Sequence, residues 1–201
     1  MHPDCAFAWD DRAAVLAFVA DYAFAHVFAV TPAGPRVAHV PVLVVGEALR
    51  FHLSNGNALT PHLDGATVLA SVGGPGAYVS PNWYVDGKEQ VPTWNYRAVE
   101  VEGVARRMDG NELIGLLDAT TAIHEARAGE DWTRAKMDPR RFEAMCRAIT
   151  GFELPVTALR ATAKLSQNKS DADARGVVAG LTATGRTHPA ALIEGARGWQ
   201  A

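Results

Sequence analysis

Aromatic and amide side chains gather in three short stretches of this chain: AYVSPNWY (77–84), VPTWNYRAVEVEG (91–103) and KLSQNKS (164–170). Two of the five tryptophans, Trp83 and Trp94, lie in the first two, each beside a tyrosine and an asparagine. Such rings are large and partly polar, and they want a hydrogen-bond partner when buried. Beside Ser, Thr and Asn they suit the wall around a planar polar ligand. A ring of aromatic lids over a barrel end is the competing reading. KLSQNKS adds two cations, Lys164 and Lys169, around Ser166, Gln167 and Asn168, whose amides offer donor and acceptor in one group. A solvated turn before a helix is the alternative there. Other chemical signals are weaker. The Gly73–Gly76 loop lacks the strand–loop–helix phosphate pattern and reads as a tight turn. His124 and Glu125 form half of a metal motif with no second histidine four residues on, so no metal site is expected. No Ser–His–Asp set has a supporting local motif.

The elements that carry these stretches can be read from periodicity. Asp10 or Asp11 can cap a first helix in which Val15, Phe18, Val19 and Tyr22 recur at helical spacing. Strands are expected over 24–30, 37–45, 49–53 and 66–72, with a helical turn in 57–63 and a long strand over 94–105. Leu113, Leu116, Leu117 and Thr120 mark a helix ending near His124. Asp138 and Pro139 start another, with Phe142, Met145, Cys146 and Ile149 as its buried stripe and Cys146 in the core. A last barrel strand is expected over 152–160. Ser170 with Asp173 forms a weak capping box for a helix through Leu181, and a hinge over 183–189 leads to a final helix bearing Leu192, Ile193 and Ala196. Many short strands interrupted by helices argue a mainly β, Greek-key barrel with flanking helices.

Composition narrows the class. A chain of 201 residues suits one domain, here expected to span 1–201. A net charge of −3 weighs against direct nucleic-acid binding by the whole surface and leaves only a local patch open. No apolar run nears the roughly 20 residues that span a bilayer. The start, MHPDCAFAWDD, is acidic where a signal peptide is basic and then apolar, so a cytoplasmic protein is expected. Two cysteines, Cys5 and Cys146, make no disulfide framework.

AYVSPNWY, VPTWNY and KLSQNKS, in this order and with GFE (151–153) before the last, resemble the PaiB-type FMN-binding proteins. These are negative transcriptional regulators built on the flavin-binding split β-barrel. The resemblance runs to about Leu181 and leaves 183–201 as a helical C-terminal extension. It implies that fold, FMN as cofactor, and a homodimer holding the flavin between subunits, with residues of KLSQNKS coming from the second chain. No residue is an obvious general acid or base, so an enzymatic role stays open. A flavin reductase or oxidase-like enzyme is one alternative. Another is a degenerate barrel that has lost FMN and serves as an interaction module or binds a planar ligand such as haem.

FMN needs flat faces and hydrogen bonds for its ring, hydroxyl partners for its ribityl chain, and cations or N–H donors for its phosphate. On the 49–54 strand, Arg50, His52 and Ser54 share a face and are followed by Asn57, which makes a phosphate or ribityl edge or an ordinary exposed face. The family usually has a basic residue where this chain has Ser54 and Asn55, so Arg50, Lys164 or Lys169 must serve the phosphate. Histidine often stands where this chain has Gly76. His39 and Pro41 share a strand face; alone, such a histidine is a hydrogen-bonded core residue, and the family places this His-x-Pro beside the flavin. Tyr78, Ser80 and Trp83 complete the first cluster. Alternation divides the second, with Thr93 and Asn95 expected to make polar contacts and Trp94 to pack in the core or the interface. KLSQNKS contributes Lys164, Gln167, Asn168 and Lys169.

Overall fold

A computed structural model describes residues 2–199. In chain order the elements are α1 (Arg12–Tyr22), β1 (Phe24–Thr31), β2 (Gly34–Pro41), β3 (Leu43–Val45), β4 (Ala48–Ser54), β5 (Thr67–Gly73), β6 (Ala77–Val79) and β7 (Thr93–Val104). They continue with β8 (Arg106–Arg107), α2 (Gly110–Ala128), α3 (Pro139–Cys146), β9 (Ile149–Pro155), β10 (Ala158–Lys164), α4 (Asp171–Ala183) and α5 (Thr187–Ala196). β1 pairs antiparallel with β2 and β5, β4 with β3 and β9, β6 with β7, and β8 with β9.

Two compact units result. The larger comprises Leu16–Val72 and Glu100–Leu159; the smaller comprises Met1–Val15, Gly73–Val99 and Arg160–Ala201. In the larger unit β1 lies between β2 and β5, and a second sheet runs β3-β4-β9-β8. Inward positions alternate strictly along β4 and β5, as a strand with one buried face requires. Phe51 and Phe152 are opposed across β4 and β9 with ring centroids 5.8 Å apart, and both are buried. In the smaller unit β6 pairs with β7, and α4 and α5 close a core of Ala77, Val79, Leu165, Val177, Leu181 and Ile193.

Local chemistry sets several boundaries. The Asp11 carboxylate accepts from the Ala14 amide (3.0 Å) and caps α1. Asp138 accepts from Arg141 ahead of Pro139, and Ser170 from Asp173, as their sequences predict. Two expected strands are each broken at a proline. The 37–45 strand divides after Pro41 into β2 and β3, with the Val42 amide turned to the Ala23 carbonyl. The 152–160 strand divides after Pro155, where the Val156 and Thr157 amides bond to Glu47 and Glu102. Proline cannot donate to the ladder, so the strand ends there. The expected hinge over 183–189 is a tight turn with Gly185 at φ +75°. The buried stripe expected on α3 is corrected. None of its residues is buried, Met145 is 56% exposed and Cys146 is half-buried, because the helix borders an open cavity.

An ion cluster fastens α2 to the second sheet. Arg106 donates to both Glu112 oxygens (2.9 and 2.7 Å) and to Glu153 (3.0 Å), and Arg50 donates to Glu153 (2.7 Å). Glu112 also closes a reciprocal cap with Asp109. The Arg106 hydrogen bonds, then the Asp109 amide, hold the Glu112 carboxyl down at about 2. A depressed folded-state pKa contributes stability above the ordinary value of 4.5 that is lost as pH falls toward 2. Glu112→Gln is therefore expected to lower the urea midpoint at pH 7, with the gap to wild type closing between pH 4.5 and 2. A gap independent of pH would show that the carboxylate charge contributes nothing.

Candidate functional site

The β6–β7 ladder sorts the aromatic clusters. Tyr78 opposes Trp94, while Ala77 opposes Asn95 and Val79 opposes Thr93. Alternation therefore puts Tyr78 and Trp94 on one face, 46% and 58% exposed, with ring centroids 6.3 Å apart and nearly perpendicular. Thr93 and Asn95 turn to the opposite face with Ala77 and Val79. Of the two places expected for Trp94, the core and the interface, the core is ruled out, since the ring is 58% exposed. The two alternating sets hold, but the core takes the other one, since α4 and α5 cover the Asn95 side.

That inner face anchors the KLSQNKS turn. The Asn95 amide donates to Ser166 Oγ (2.8 Å), while its buried Oδ1 has no partner among the described residues. Lys164 Nζ donates to Thr93 Oγ1 (2.8 Å). Ser166 is buried in the left-handed region at φ +62°. The Gln167 amide is spent on the turn itself, accepting from the Leu165 amide (2.6 Å) and donating to the Ala163 carbonyl. Asn168 is exposed. Lys169 donates to Gln90 (2.7 Å) and lies 4.8 Å over the Tyr84 ring. Burial, and secondarily Asp173, pushes the Tyr84 hydroxyl above its ordinary value.

Arg197, which sequence pattern missed, clasps this turn. It follows α5, donates to the Ser166 (2.7 Å) and Lys169 (2.6 Å) carbonyls, and pairs with Asp171. A lone arginine past a helix end carries no signal that would have marked it.

Trp83 meets α4, where Gly176 and Gly180 sit one turn apart. A Cβ on Gly180 would lie 2.3 Å from the indole, and one on Gly176 would lie 1.9 Å from the Trp83 carbonyl oxygen. Ser80 caps the turn that carries Trp83, accepting from the Asn82 amide (3.3 Å).

In the larger unit the candidates divide. His39 and Pro41 lie on the exposed face of β2, where the His39 ring meets His26 edge-on at 4.7 Å. Phe24, Phe28, Val30 and Val37 share that sheet face and are 41–78% exposed. Arg50 is committed to Glu153. His52 borders the α2–α3 cavity, and burial lowers its pKa. Ser54 and Asn57 shape their own loop, accepting from the Gly56 (3.3 Å) and Leu59 (2.9 Å) amides. Arg50, His52 and Ser54 thus share a strand face, as alternation predicts, yet each has different surroundings.

Residues 1–158 match the family model described as "Putative FMN-binding domain". That stretch ends before KLSQNKS. Among curated relatives, the protease synthase and sporulation protein PAI 2 of Bacillus subtilis is 35% identical over 111 residues, 55% of this chain and 53% of that protein. The chain thus spans about half the length of this relative. The FAD and haem binding protein from Mycobacterium smegmatis has a similar structure, with TM-score 0.63 and 19% identity, covering 83% of this chain and 78% of that one. The flavocytochrome Anf3 from Azotobacter vinelandii has TM-score 0.58 and 16% identity, covering 78% and 69%. The likeness shows the fold: mainly antiparallel sheet with flanking helices, the flavin-binding split β-barrel. By the match over 1–158, the chain belongs to the FMN-binding domain family, whose cofactor is FMN.

Proposed function

We propose that the chain holds FMN in a homodimer, with Tyr78 and Trp94 of one chain against the flavin ring and Lys164 and Lys169 of its partner at the phosphate. The observation that carries this is the half-exposed Tyr78–Trp94 pair, in a unit that also bears two lysines with no carboxylate in salt-bridge contact among the described residues. Phosphate needs uncommitted positive charge. Arg50 fits poorly because Glu153 already neutralises it. Asn168 is the exposed amide left for the ring carbonyls, while Gln167, Ser80, Ser54 and Asn57 act by holding their loops. Bound FMN supplies electron-transfer chemistry, and the chain's residues bind and orient it.

The apolar sheet face of the larger unit, with Phe24, Phe28, Val30 and Val37 exposed, supports a second copy as its cover. A cytoplasmic location fits a chain in which no helix of the described residues is long and apolar enough to cross a membrane. The resemblance to PaiB-type regulators supports a regulatory role. The net charge of −3 favours acting through a partner over direct operator contact.

Flavin titration of the purified chain tests the site. Losing a charged hydrogen-bond partner costs roughly 1.5–3 kcal/mol, or about ten- to hundredfold in affinity. Lys164→Ala and Lys169→Ala are expected to weaken FMN by that factor and to leave riboflavin, which lacks the phosphate, nearly unchanged. Equal losses would move the lysines to the ring, and no loss for either ligand would remove KLSQNKS from the site. Light scattering should give the mass of two chains at micromolar concentration, and a single-chain mass would sink the shared-site reading.

A further inference from the structure

The strands β4 and β9 and the helices α2 and α3 of the larger unit border a half-open cavity of about 260 Å³. Folded interiors leave few voids larger than a water molecule. This one is framed by the apolar stripe of α3, Phe142, Met145 and Cys146. Its walls include Leu117, Trp132, Met137, Phe142 and Cys146: two aromatic rings, two sulfur-bearing side chains and one aliphatic one. Thioether and thiol groups adapt their shape and make favourable contacts with ring edges. Arg134 and Asp118 at the margin pair with each other at 3.2 Å, so the cavity offers no net charge to an ion. Apart from that pair, the polar side chains of the wall are Thr121 and His52, and the His52 ring makes no hydrogen bond among the described residues. Burial keeps that imidazole neutral at pH 7, with one nitrogen free to accept.

We infer that this cavity is a binding site for a neutral, bicyclic aromatic molecule that donates one ring N–H or hydroxyl hydrogen bond to His52. The inference does not rest on the flavin reading, and it gives His52 a role other than the phosphate edge. Two fused rings match the volume, the aromatic and sulfur walls favour a flat π-system, and the free His52 nitrogen accepts from one ring donor.

Indole is the probe, with 1-methylindole, which lacks the N–H, as its control. Calorimetry on the full chain should show one saturable indole site per chain. Cys146→Phe, which fills the cavity, should weaken indole at least tenfold without lowering the melting temperature. His52→Leu should weaken indole at least fivefold and leave 1-methylindole within twofold. No saturable indole binding to the wild-type chain overturns the site, as does undiminished affinity in a folded Cys146→Phe protein. If Cys146→Phe fails to fold, as circular dichroism would reveal, the His52→Leu comparison decides alone. Equal loss of both probes there overturns the hydrogen bond and with it the proposal.

Discussion

Gly180→Ala is expected to destabilise the protein, although alanine is the better helix former. In an exposed helix interior that exchange gains up to about 1 kcal/mol. Here the new methyl would sit 2.3 Å from Trp83 ring carbons, a distance at which something must shift. Overpacking of this kind costs roughly 1–3 kcal/mol and occasionally more, so the clash outweighs the propensity. Gly176→Ala should be worse, because its obstacle is the Trp83 carbonyl oxygen at 1.9 Å, and backbone yields less than a ring. Gly115→Ala is the internal control. It lies within α2 with nothing within 4 Å of its added methyl, and should gain about 0.5–1 kcal/mol. Urea denaturation of the three variants decides the matter. Stabilisation by all three would mean that Trp83 does not rest on α4.

Arg197→Ala should have an effect of similar size by a different route. Its side chain is only 13% exposed and holds two carbonyls and a carboxylate at once. Hydrogen bonds from charged groups contribute roughly 1.5–3 kcal/mol, and the stranded carbonyls of Ser166 and Lys169 are partly shielded from water, so a loss of about 3 kcal/mol is expected. Arg197→Lys should recover little, since one ammonium cannot reproduce the planar fork. Trypsin reports on the same contact, because Lys164 and Lys169 flank the clasped turn. Cleavage there should accelerate in Arg197→Ala well before global unfolding. An unchanged digestion pattern with unchanged stability would show that the turn holds its shape alone.

Features fixed by neighbours in sequence could be read from it. Asp11, Asp138 with Pro139, and Ser170 start helices because a cap needs only an amide two or three residues away. The reciprocal Asp109–Glu112 cap obeys the same rule, its two partners being three residues apart. Alternation separated Trp94 from Thr93 and Asn95 correctly. It could not say which set faces in, because α4 and α5, some eighty or more residues later, decide that. The α3 stripe failed for a related reason: periodicity reports an apolar face but not whether the space opposite is filled. At the candidate site, residue type located the polar clusters. It could not reveal that Gln167, Ser54, Asn57 and Ser80 bond to their own backbones, since a turn and a ligand ask for the same groups.

The division of the chain also has a temporal side. The larger unit uses only residues up to Leu159, whereas the smaller is assembled from three separated stretches, the last starting at Arg160. On the ribosome the first set is therefore complete while the third stretch of the other is still being made. At roughly 5–20 residues per second, the 42 residues from Arg160 to Ala201 take about 2–8 seconds. During that interval β6 and the start of β7 exist without the helices that bury their inner face. The surface bearing Ala77, Val79 and Asn95 is thus the part of the nascent chain most in need of a holding chaperone, and a synonymous slow codon after Leu159 would lengthen its exposure.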